Sequence, residues 1–343
     1  MTGHAAAPAA SGPDIAARVG RLAGARVRAA RRIGGQHRWG HYRVVLADGR
    51  QAFAKVASPG LGPELTAAFE AEARGLRWLA EAAAVPVPDV LGWNADGLVV
   101  SWVPGEPPDA VAAGRFGRDL ARLHLAGAAR FGAPWAGFIA SLPLENGNSG
   151  PVSDGSRQLQ RAESSERAPA KAADRGIHPH GGMDGGEPGG AEDPWPRWYA
   201  SQRLLPYVRL AYDAGELAPE DVRLLEQVAS RAGALAGPAE SPSRIHGDCW
   251  SGNLLWSGSR GWLIDPAAHG GHRESDLAML ALFGAPYLDR ILAAYQETAP
   301  LAAGWRARVP LHQLHPLLVH VCLFGAGYRD AALDAARAAL AAG

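Results

Sequence analysis

Three oxygen-bearing side chains between residues 244 and 265 have types and spacing that suit phosphoryl transfer. Asp248 and Asn253 are five positions apart, which is the separation between the acceptor-binding Asp and the Mg²⁺-binding Asn of phosphoryl-transfer loops. Asp265 follows two short apolar runs, 254–256 and 262–264, which flank a Ser-Gly-Ser-Arg-Gly turn. This pattern predicts a hairpin that returns Asp265 to the side of Asn253. The stretch is therefore interpreted as a phosphoryl-transfer centre.

Lysine is rare in this chain. Of the 34 basic residues, only Lys55 and Lys171 are lysines. Lys55 lies near the end of a strand-like run, 51–56, which an Asp-Gly hairpin signal at 48–49 joins to an earlier strand-like run. Nearly every other basic residue is arginine, so a lysine at this position indicates a specific need for a compact ammonium group. Chance alone would also leave one lysine somewhere in the chain.

Other residues near Lys55 could take part in phosphate binding. Apolar residues recur at helical spacing over 64–84, and this predicted helix carries Glu70 and Glu72. A glutamate on such a helix orients the phosphate-binding lysine in kinases, but either side chain could equally lie on a solvated face. Gly34 and Gly35 could let backbone amides approach phosphates, or could form an ordinary hairpin turn.

The pattern of predicted elements divides the chain into two lobes. A loose terminus, 1–13, precedes an amphipathic helix predicted over 14–30. Strand signals then dominate up to residue 103, where a Pro-Gly-Glu-Pro-Pro run at 104–108 breaks the chain. We therefore place an N-terminal lobe at 14–103 and a larger, mainly helical lobe at 104–343. The predicted fold class is α+β, with a small, mainly antiparallel β lobe that carries one long helix.

Helical periodicity dominates the second lobe. It predicts helices over 115–128, 203–212, 219–236, 276–283, 287–296 and 311–342, the last of them broken at 325–327, and a loop over 131–144. Residues from about 146 to 193 are rich in Gly, Ser and Pro and have no apolar period. This segment is predicted to be a disordered insertion, because it cannot bury enough apolar surface to offset the entropy of ordering.

Composition excludes several functional classes. The formal net charge is +0, which gives no electrostatic reason to expect nucleic acid or an anionic membrane as a partner. No run approaches the roughly 18 apolar residues of a spanning helix. Two cysteines, Cys249 and Cys322, do not make a disulfide framework for 343 residues. We expect a soluble cytoplasmic protein of undetermined oligomeric state, with a monomer slightly favoured.

Three runs of residues form a longer signature around these positions. They are His-Gly-Asp-Cys-Trp-Ser-Gly-Asn at 246–253, Ile-Asp-Pro-Ala at 264–267 and Gly-His-Arg-Glu-Ser-Asp-Leu-Ala at 271–278. Together they resemble the fructosamine/ketosamine-3-kinase family, which belongs to the aminoglycoside-phosphotransferase-like kinases of protein-kinase-like fold. His-Gly-Asp marks only the broad kinase group, whereas Trp-Ser-Gly-Asn with Gly-His-Arg-Glu is much more specific. The resemblance covers nearly the whole chain apart from the terminus and the insertion.

The resemblance implies a role for each residue of the phosphoryl-transfer centre. It makes Asp248 the catalytic base, and it makes Asn253 and Asp265 the ligands of Mg²⁺. Lys55 matches the lysine that holds the phosphates of ATP, and Glu72, rather than Glu70, matches that lysine's partner.

The resemblance also implies an ATP site in the N-terminal lobe. The backbone of Ser101, Trp102 and Val103 would meet adenine, and Gly34 and Gly35 would lie in the glycine-rich turn near the phosphates.

The remaining matches surround the catalytic loop. His246 and Asp276 match residues that brace this loop. Trp250 matches an aromatic residue beside the catalytic Asp, where it could stack on a sugar or pack in the core. His272 and Glu274 match the family signature, either as bracing residues or as substrate contacts.

The activity implied is an ATP- and Mg²⁺-dependent transfer of phosphate to a sugar hydroxyl of a ketosamine, free or protein-linked. In this family the product destabilises the sugar–amine adduct, which is a deglycation step in protein repair. A kinase of the same fold that acts on an aminoglycoside or another small hydroxylated molecule is an alternative, and an acidic pocket would favour it. A non-catalytic ATP-binding regulatory module is a second alternative, but four intact catalytic-type residues argue against it.

Overall fold

The computed structural model describes residues 12–36, 38–58, 64–147 and 195–343. The predicted flexible terminus and the predicted disordered insertion lie almost entirely outside these ranges, so both stay predictions. None of the helices in these ranges is long and apolar enough to cross a membrane.

The N-terminal part of the chain is built on a five-stranded antiparallel sheet. The strands are Val27–Gln36 (β1), Trp39–Leu46 (β2), Gln51–Ala57 (β3), Val90–Asn94 (β4) and Gly97–Ser101 (β5). They pair in the order β1-β2-β3-β5-β4. Helix α1, Gly12–Ala23, covers one face of the sheet, because its apolar residues pack against buried residues of β2, β3 and β5.

The other face of the sheet carries the long helix α2, Glu64–Glu81. Phe69 and Leu76 of this helix are buried against Leu98 and Val100 of β5. Residue 72 is three positions after Phe69 and four before Leu76, so helical geometry places its side chain on the same, sheet-facing side. The apolar spacing of α2 therefore directs Glu72 towards the sheet.

The helix predicted over 14–30 is too long. Helix α1 ends at Ala23, Gly24 follows with a φ of +60°, and β1 begins at Val27. Strand β1 lies at the edge of the sheet, and the side chains of Arg28, Arg31 and Arg32 are exposed. Charged edge strands are a common defence against intermolecular pairing, and they lack the apolar alternation by which sequence reasoning recognises a strand.

The rest of the chain is mainly helical. Asp109 caps the first of these helices by accepting hydrogen bonds from the backbone amides of Val111 and Ala112. The helices are Ala110–Leu125 (α3), Trp195–Tyr199 (α4), Leu205–Asp213 (α5), Pro219–Leu235 (α6), Arg273–Leu282 (α7), Leu288–Thr298 (α8), Trp305–Phe324 (α9) and Arg329–Ala342 (α10), with a π-helical turn, Ala200–Leu204, between α4 and α5. One core joins the sheet, α2, α3 and α8, and a second joins α4, α5, α6, α9 and α10.

Three short antiparallel pairs complete the second lobe. They are Gly137–Ile139 (β6) with Leu142–Leu144 (β7), Ser243–Ile245 (β8) with His269–Gly271 (β11), and Leu254–Ser257 (β9) with Arg260–Leu263 (β10). The β6–β7 pair lies where a loop was predicted. The β9–β10 hairpin is confirmed, and the positive φ values of Gly258 and Ser259 fit its two-residue turn.

This architecture confirms the predicted α+β class. A small antiparallel sheet with one long helix on its inner face precedes a larger, mainly helical lobe that also contains the three short strand pairs. The boundary at residue 103 stays a prediction, although β5 ends at Ser101 and α3 begins at Ala110.

Candidate active site

The loop that carries Asp248 is fixed by a buried carboxylate from α7. The backbone amides of His246 and Gly247 donate to Asp276 over 2.7 and 2.9 Å. The ring of His124 contacts the same carboxylate over 3.2 Å. Gly247 has a φ of +81°, and a Cβ atom there would lie 2.2 Å from the carbonyl oxygen of Ala267. The loop therefore needs both a glycine and an acceptor beneath it.

Asn253 positions the carboxylate of Asp248. Strand β8 leads into the loop, and a 3₁₀ turn over Ser251–Asn253 brings the Asn253 side chain back towards Asp248. The Nδ2 atom of Asn253 donates to Oδ2 of Asp248 over 2.8 Å and to its carbonyl oxygen over 3.0 Å. Because Nδ2 is held this way, Oδ1 of Asn253 points to the opposite side. The second carboxylate oxygen of Asp248, Oδ1, could accept a hydrogen bond from a substrate hydroxyl.

Asp265 lies directly after β10, as the hairpin pattern predicts. The backbone amide of Ile264 donates to the carbonyl of Asn253 over 3.0 Å, which ties the end of the hairpin to the 3₁₀ turn. Asp265 itself has a φ of +52°, and its side chain is 52% exposed. A non-glycine residue in the left-handed region is uncommon and costs free energy, although Asp adopts this conformation more readily than most residues. Here the strained backbone turns a carboxylate into the space beside Asn253.

Lys55 pairs with two carboxylates, one from each lobe. Its Nζ atom lies 2.6 Å from Oε2 of Glu72 and 2.8 Å from Oδ1 of Asp265, and Lys55 is only 4% exposed. Glu70 instead pairs with Arg74 on the outer surface of α2. The structure thus brings together Lys55 and Glu72 and leaves Glu70 outside the site.

The pKa values at this site reflect burial and mutual repulsion. Burial would lower the pKa of Lys55, but the charges of Asp265 and Glu72 raise it above its ordinary value. Burial and the charge of Asp265 raise the pKa of Glu72 to about 7 and that of Asp248 also to about 7. Partial desolvation in the cleft would raise the pKa of Asp265 too, but the Lys55 ammonium lowers it. Lys55 therefore holds together carboxylates that would otherwise repel one another.

Gly34 lies in register with Lys55 across the sheet. In the β1–β2–β3 ladder, Gly34 pairs with His41, and His41 pairs with Lys55. Gly35 has a φ of +141°, and a Cβ atom there would approach the carbonyl oxygen of Trp39 to 2.6 Å. The two glycines thus shape a hairpin whose tip extends beyond Lys55, where backbone amides could approach a phosphate.

His41 is a cleft residue that the sequence reasoning missed. It lines the same cleft as Lys55, and its Nε2 atom is buried without a hydrogen-bond partner. Burial, followed by the charge of Lys55, lowers the pKa of His41. Its position opposite Lys55 on the neighbouring strand would have indicated this role, but that position follows from the register of the hairpin, which the sequence alone does not determine.

The predicted adenine-binding backbone is partly occupied by protein hydrogen bonds. The amide of Ser101 donates to the carbonyl of Asp89 over 2.8 Å, and the amide of Trp102 donates to the carbonyl of Gln51 over 3.1 Å. None of Ser101, Trp102 and Val103 is among the described residues that line the cleft around Lys55, so their contact with adenine stays a prediction.

The catalytic-type residues line an open cleft between the lobes. Among its described lining residues, the only carboxylates are Glu72, Asp248 and Asp265. The side away from Lys55 is apolar and aromatic, and Trp250 lies there with 38% of its surface exposed. This exposure places Trp250 at the cleft surface, outside the buried core. The other lining residues on this side are Phe138, Ile139, Met279, Pro316, Val319, His320, Leu323 and Phe324.

His272 and Glu274 lie behind the catalytic loop and do not line this cleft. His272 caps α7 by accepting the backbone amide of Glu274 at Nδ1. Arg308 donates to both carboxylate oxygens of Glu274, over 2.6 and 2.9 Å. All three side chains are buried. Of the two roles left open by the sequence, this packing favours bracing over substrate contact.

The same region contains a possible set of metal ligands, but its hydrogen bonds argue against a metal. Ligand atoms of His272, Glu274 and His312 lie within 4.8 Å of one another. Arg308 already occupies both oxygens of Glu274. Nδ1 of His272 accepts a hydrogen bond, so in the neutral ring Nε2 carries the proton and cannot ligate. We interpret the cluster as a structural brace between α7 and α9.

Sequence comparisons show which known proteins this chain is similar to. The model of the fructosamine kinase family matches residues 17–150 and 187–342. The probable ketoamine kinase YniA of Escherichia coli K12 is 30% identical over 267 residues, which cover 76% of this chain and 77% of the relative. The probable ketoamine kinase TTHA1179 of Thermus thermophilus is 29% identical over 264 residues, covering 77% and 79% of the two chains.

Structural comparisons agree with the sequence comparisons. A Thermobifida fusca protein assigned as a fructosamine-3-kinase superposes with a TM-score of 0.80 and 50% identity, over 95% of this chain and 98% of that one. The macrolide 2'-phosphotransferase MphH of Brachybacterium faecium superposes with a TM-score of 0.53 at 16% identity, over 94% and 95% of the two chains. The second likeness shows the fold alone, and it confirms the predicted kinase-like two-lobed architecture.

The brace behind the catalytic loop gives a stability prediction. Replacing Arg308 by Met leaves the buried Glu274 carboxylate without its guanidinium, so we expect the free energy of unfolding to fall by about 3–5 kcal/mol. Urea denaturation at pH 7 measures this change. Arg306→Met, at an exposed position on the same helix, is the control and should change it by no more than about 0.5 kcal/mol. Equal effects of the two substitutions would contradict the brace.

The same pair predicts a dependence on pH. Burial would raise the pKa of Glu274, but hydrogen bonds from His312 and Arg308 lower it from 4.5 to about 2. A carboxylate with a depressed folded-state pKa stabilises the fold above its unfolded pKa and loses this effect as the pH falls through the folded value. The stability advantage of the wild type over Glu274→Gln should therefore shrink between pH 4.5 and about 2, as followed by urea denaturation at each pH. A constant difference would refute the prediction.

Proposed function

Because this chain belongs to the fructosamine kinase family, a family of sugar-amine kinases, we propose that it transfers the γ-phosphate of ATP to a sugar hydroxyl of a ketosamine. The observation that carries this proposal is the joint placement of Asp248, Asn253 and Asp265 opposite Lys55 and Glu72, in one cleft between two lobes. Phosphoryl transfer needs alignment and positive charge more than covalent help, and this arrangement supplies both.

Asp248 is the proposed base. Asn253 holds its Oδ2 atom, so Oδ1 can accept the hydrogen bond of the acceptor hydroxyl. As the bond from the acceptor oxygen to the γ-phosphorus forms, the bond from this phosphorus to the β,γ-bridging oxygen breaks and ADP leaves. The hydroxyl proton passes to Asp248. The buried surroundings that raise the pKa of Asp248 make it a better base than an exposed carboxylate.

Lys55 is the proposed phosphate-binding residue. Glu72 fixes the direction of its ammonium from within the N-terminal lobe, at 2.6 Å. The nucleotide phosphates would take the place of Asp265 as the second partner of the ammonium and would free that carboxylate. His41, next to Lys55 across the strands, lines the same cleft.

The residues at the mouth of the cleft fit Mg²⁺. Oδ1 of Asn253 and the exposed carboxylate of Asp265 are hard oxygen donors on adjacent turns, which is the donor type that Mg²⁺ prefers. They would hold the ion, which when bound offsets the negative charge of the phosphate oxygens. The hydrogen bonds through Nδ2 of Asn253 keep its oxygen on the side away from Asp248.

The cleft favours a ketosamine over an aminoglycoside. A polycationic aminoglycoside needs several carboxylates around it, since buried ammonium groups require partners. The described lining residues offer no carboxylate beyond the three of the phosphoryl-transfer centre. Trp250, exposed in the cleft two positions after Asp248, is suited to stack on a sugar ring. Phosphorylation of the sugar would then destabilise the adduct, as expected of a cytoplasmic deglycation step.

A substrate panel tests the proposed activity. Incubation with ATP, Mg²⁺ and separately fructosyl-lysine, ribulosyl-lysine, free sugars and an aminoglycoside should give ADP and phosphorylated product with a ketosamine. Asp248→Asn should lower kcat by about 10²–10⁴-fold and leave ATP affinity largely intact. Asp289→Asn, at an exposed position on α8, serves as the control. Phosphate found only on the aminoglycoside would overturn the proposal.

The two glutamates of α2 provide a matched test of the nucleotide site. Glu72→Gln removes a charged partner of Lys55, so kcat/KM for ATP should fall by about tenfold to a hundredfold, the equivalent of one lost charge-assisted hydrogen bond. Glu70→Gln is only two positions away but faces solvent, and it should change kcat/KM by less than about twofold. Steady-state kinetics with varied ATP measure both. If the two variants behave alike, Glu72 has no special role.

A further inference from the structure

An aromatic surface continues outward from the catalytic loop. Trp250 meets Phe283 edge-to-face with ring centroids 5.8 Å apart, and Phe283 lies 5.1 Å from His320. His320 in turn lies 5.4 Å from Phe324 and 4.8 Å from Tyr328. We call these five residues the aromatic wall. They come from the catalytic loop, from the end of α7 and from the junction of α9 with α10.

The aromatic wall is open at both ends. Trp250 is 38% exposed and Phe324 is 59% exposed, although neighbouring residues of α9 are fully buried. Large aromatic side chains that form a connected exposed patch usually mark a binding surface. The packing of the wall holds the two exposed rings in place, because each contacts a half-buried ring behind it. The surface is therefore ordered before any ligand arrives.

The wall is continuous with the cleft of the phosphoryl-transfer centre. Trp250, His320 and Phe324 line the same cleft as Asp248, with Phe138 and Ile139 also on its lining. Trp250 is at the inner end, where its amide donates to the carbonyl of Asp248. Phe324 belongs to the last turn of α9, farther along the wall. Asp248 and Phe324 thus line one continuous cleft.

The outer end of the aromatic wall, around Phe324, is lined mainly by apolar and aromatic side chains. Nδ1 of His320 lies 2.7 Å from the carbonyl oxygen of Pro316 and must donate to it, since a carbonyl only accepts. The other described lining residues at this end, Val319 and Leu323, are also apolar. The described residues that line the cleft here include no carboxylate; Glu216 lies beside Gly325, outside that lining. An aromatic or aliphatic group would find rings to stack against.

From this continuity we infer that the aromatic wall binds the amine substituent of the ketosamine, and that the chain prefers ketosamines whose amine carries an aromatic or aliphatic group. This inference rests on the proposed function and deepens it. Trp250 would contact the sugar end and Phe324 the substituent. Phe324 is then a specificity-determining residue, and it takes no part in the transfer of phosphate.

Matched substrates test the inference. The 1-amino-1-deoxyfructose and 1-amino-1-deoxyribulose derivatives of benzylamine, of ethanolamine and of the ε-amine of lysine are compared, and kcat/KM is measured with ATP and Mg²⁺. With the sugar that is accepted, the benzylamine adduct should exceed the ethanolamine adduct by about tenfold, through a lower KM. The lysine adduct, which carries charges on its substituent, should be no better than the ethanolamine adduct. Equal kcat/KM values for the three amines would overturn the inference and leave the proposed function standing.

Variants of Phe324 locate the effect. Phe324→Ala should reduce the ratio of the benzylamine to the ethanolamine kcat/KM towards one, and Phe324→Leu, which keeps an apolar group, should retain part of it. Leu125→Ala removes another exposed apolar side chain, 62% exposed on α3, and should keep the full ratio. Thermal unfolding of each variant verifies the fold, which the exposure of Phe324 favours. An unchanged ratio in Phe324→Ala would refute the assignment, whereas a wild type that phosphorylates no ketosamine at all would refute the proposed function itself.

Discussion

The site depends on one buried ammonium shared by two carboxylates. Lys55 connects strand β3, helix α2 and the hairpin that ends at Asp265, although Lys55 and Asp265 are 210 positions apart. An ammonium this well buried is stable only if it is paired, so the sheet, the helix and the second lobe must all be in position for the charge to be tolerated. The requirement is mutual, because the carboxylates repel one another without Lys55. The site is consequently complete only when the two lobes are in contact.

In the second lobe, a buried carboxylate fixes the loop that carries Asp248 by accepting hydrogen bonds from its backbone. Asp276 accepts two successive amides of the catalytic loop, and α7 carries Asp276. Glu274, on the same helix, is tied to Arg308 of α9. Asp248 is therefore positioned through a chain of buried charged contacts that begins in the second core. Buried side chains outside the lining of the cleft therefore decide where the Asp248 carboxylate lies.

Much of the site could be predicted from residue types and spacing. Asp248, Asn253 and Asp265 follow from their separation and from a hairpin with clear turn chemistry, and Lys55 follows from its rarity. The choice between Glu70 and Glu72 is less direct, because both lie on α2 and only packing against the sheet separates them. The cleft-facing position of His41 depends on the β2–β3 register: Leu46 and Arg50 bond across a three-residue loop, with Gly49 at a φ of +87°. An Asp-Gly signal interpreted as a two-residue turn would place Tyr42 opposite Lys55.

Strand β1 was not predicted, because its charged edge has no apolar alternation. The buried setting of His272 and Glu274 could not be predicted either, because it depends on long-range contacts with α9.

The scarcity of lysine has a chemical consequence of its own. Sugars form adducts by attack of a neutral amine on their carbonyl group, and lysine is the side chain that supplies such amines. In the described ranges Lys55 is the only lysine, and it is buried, protonated and enclosed by two carboxylates. Arginine carries the remaining positive charge of these ranges, and its guanidinium does not lose a proton. Within the described ranges, therefore, the fold offers reducing sugars no accessible lysine amine, and the site proposed to act on glycated amines has its one lysine protected from glycation.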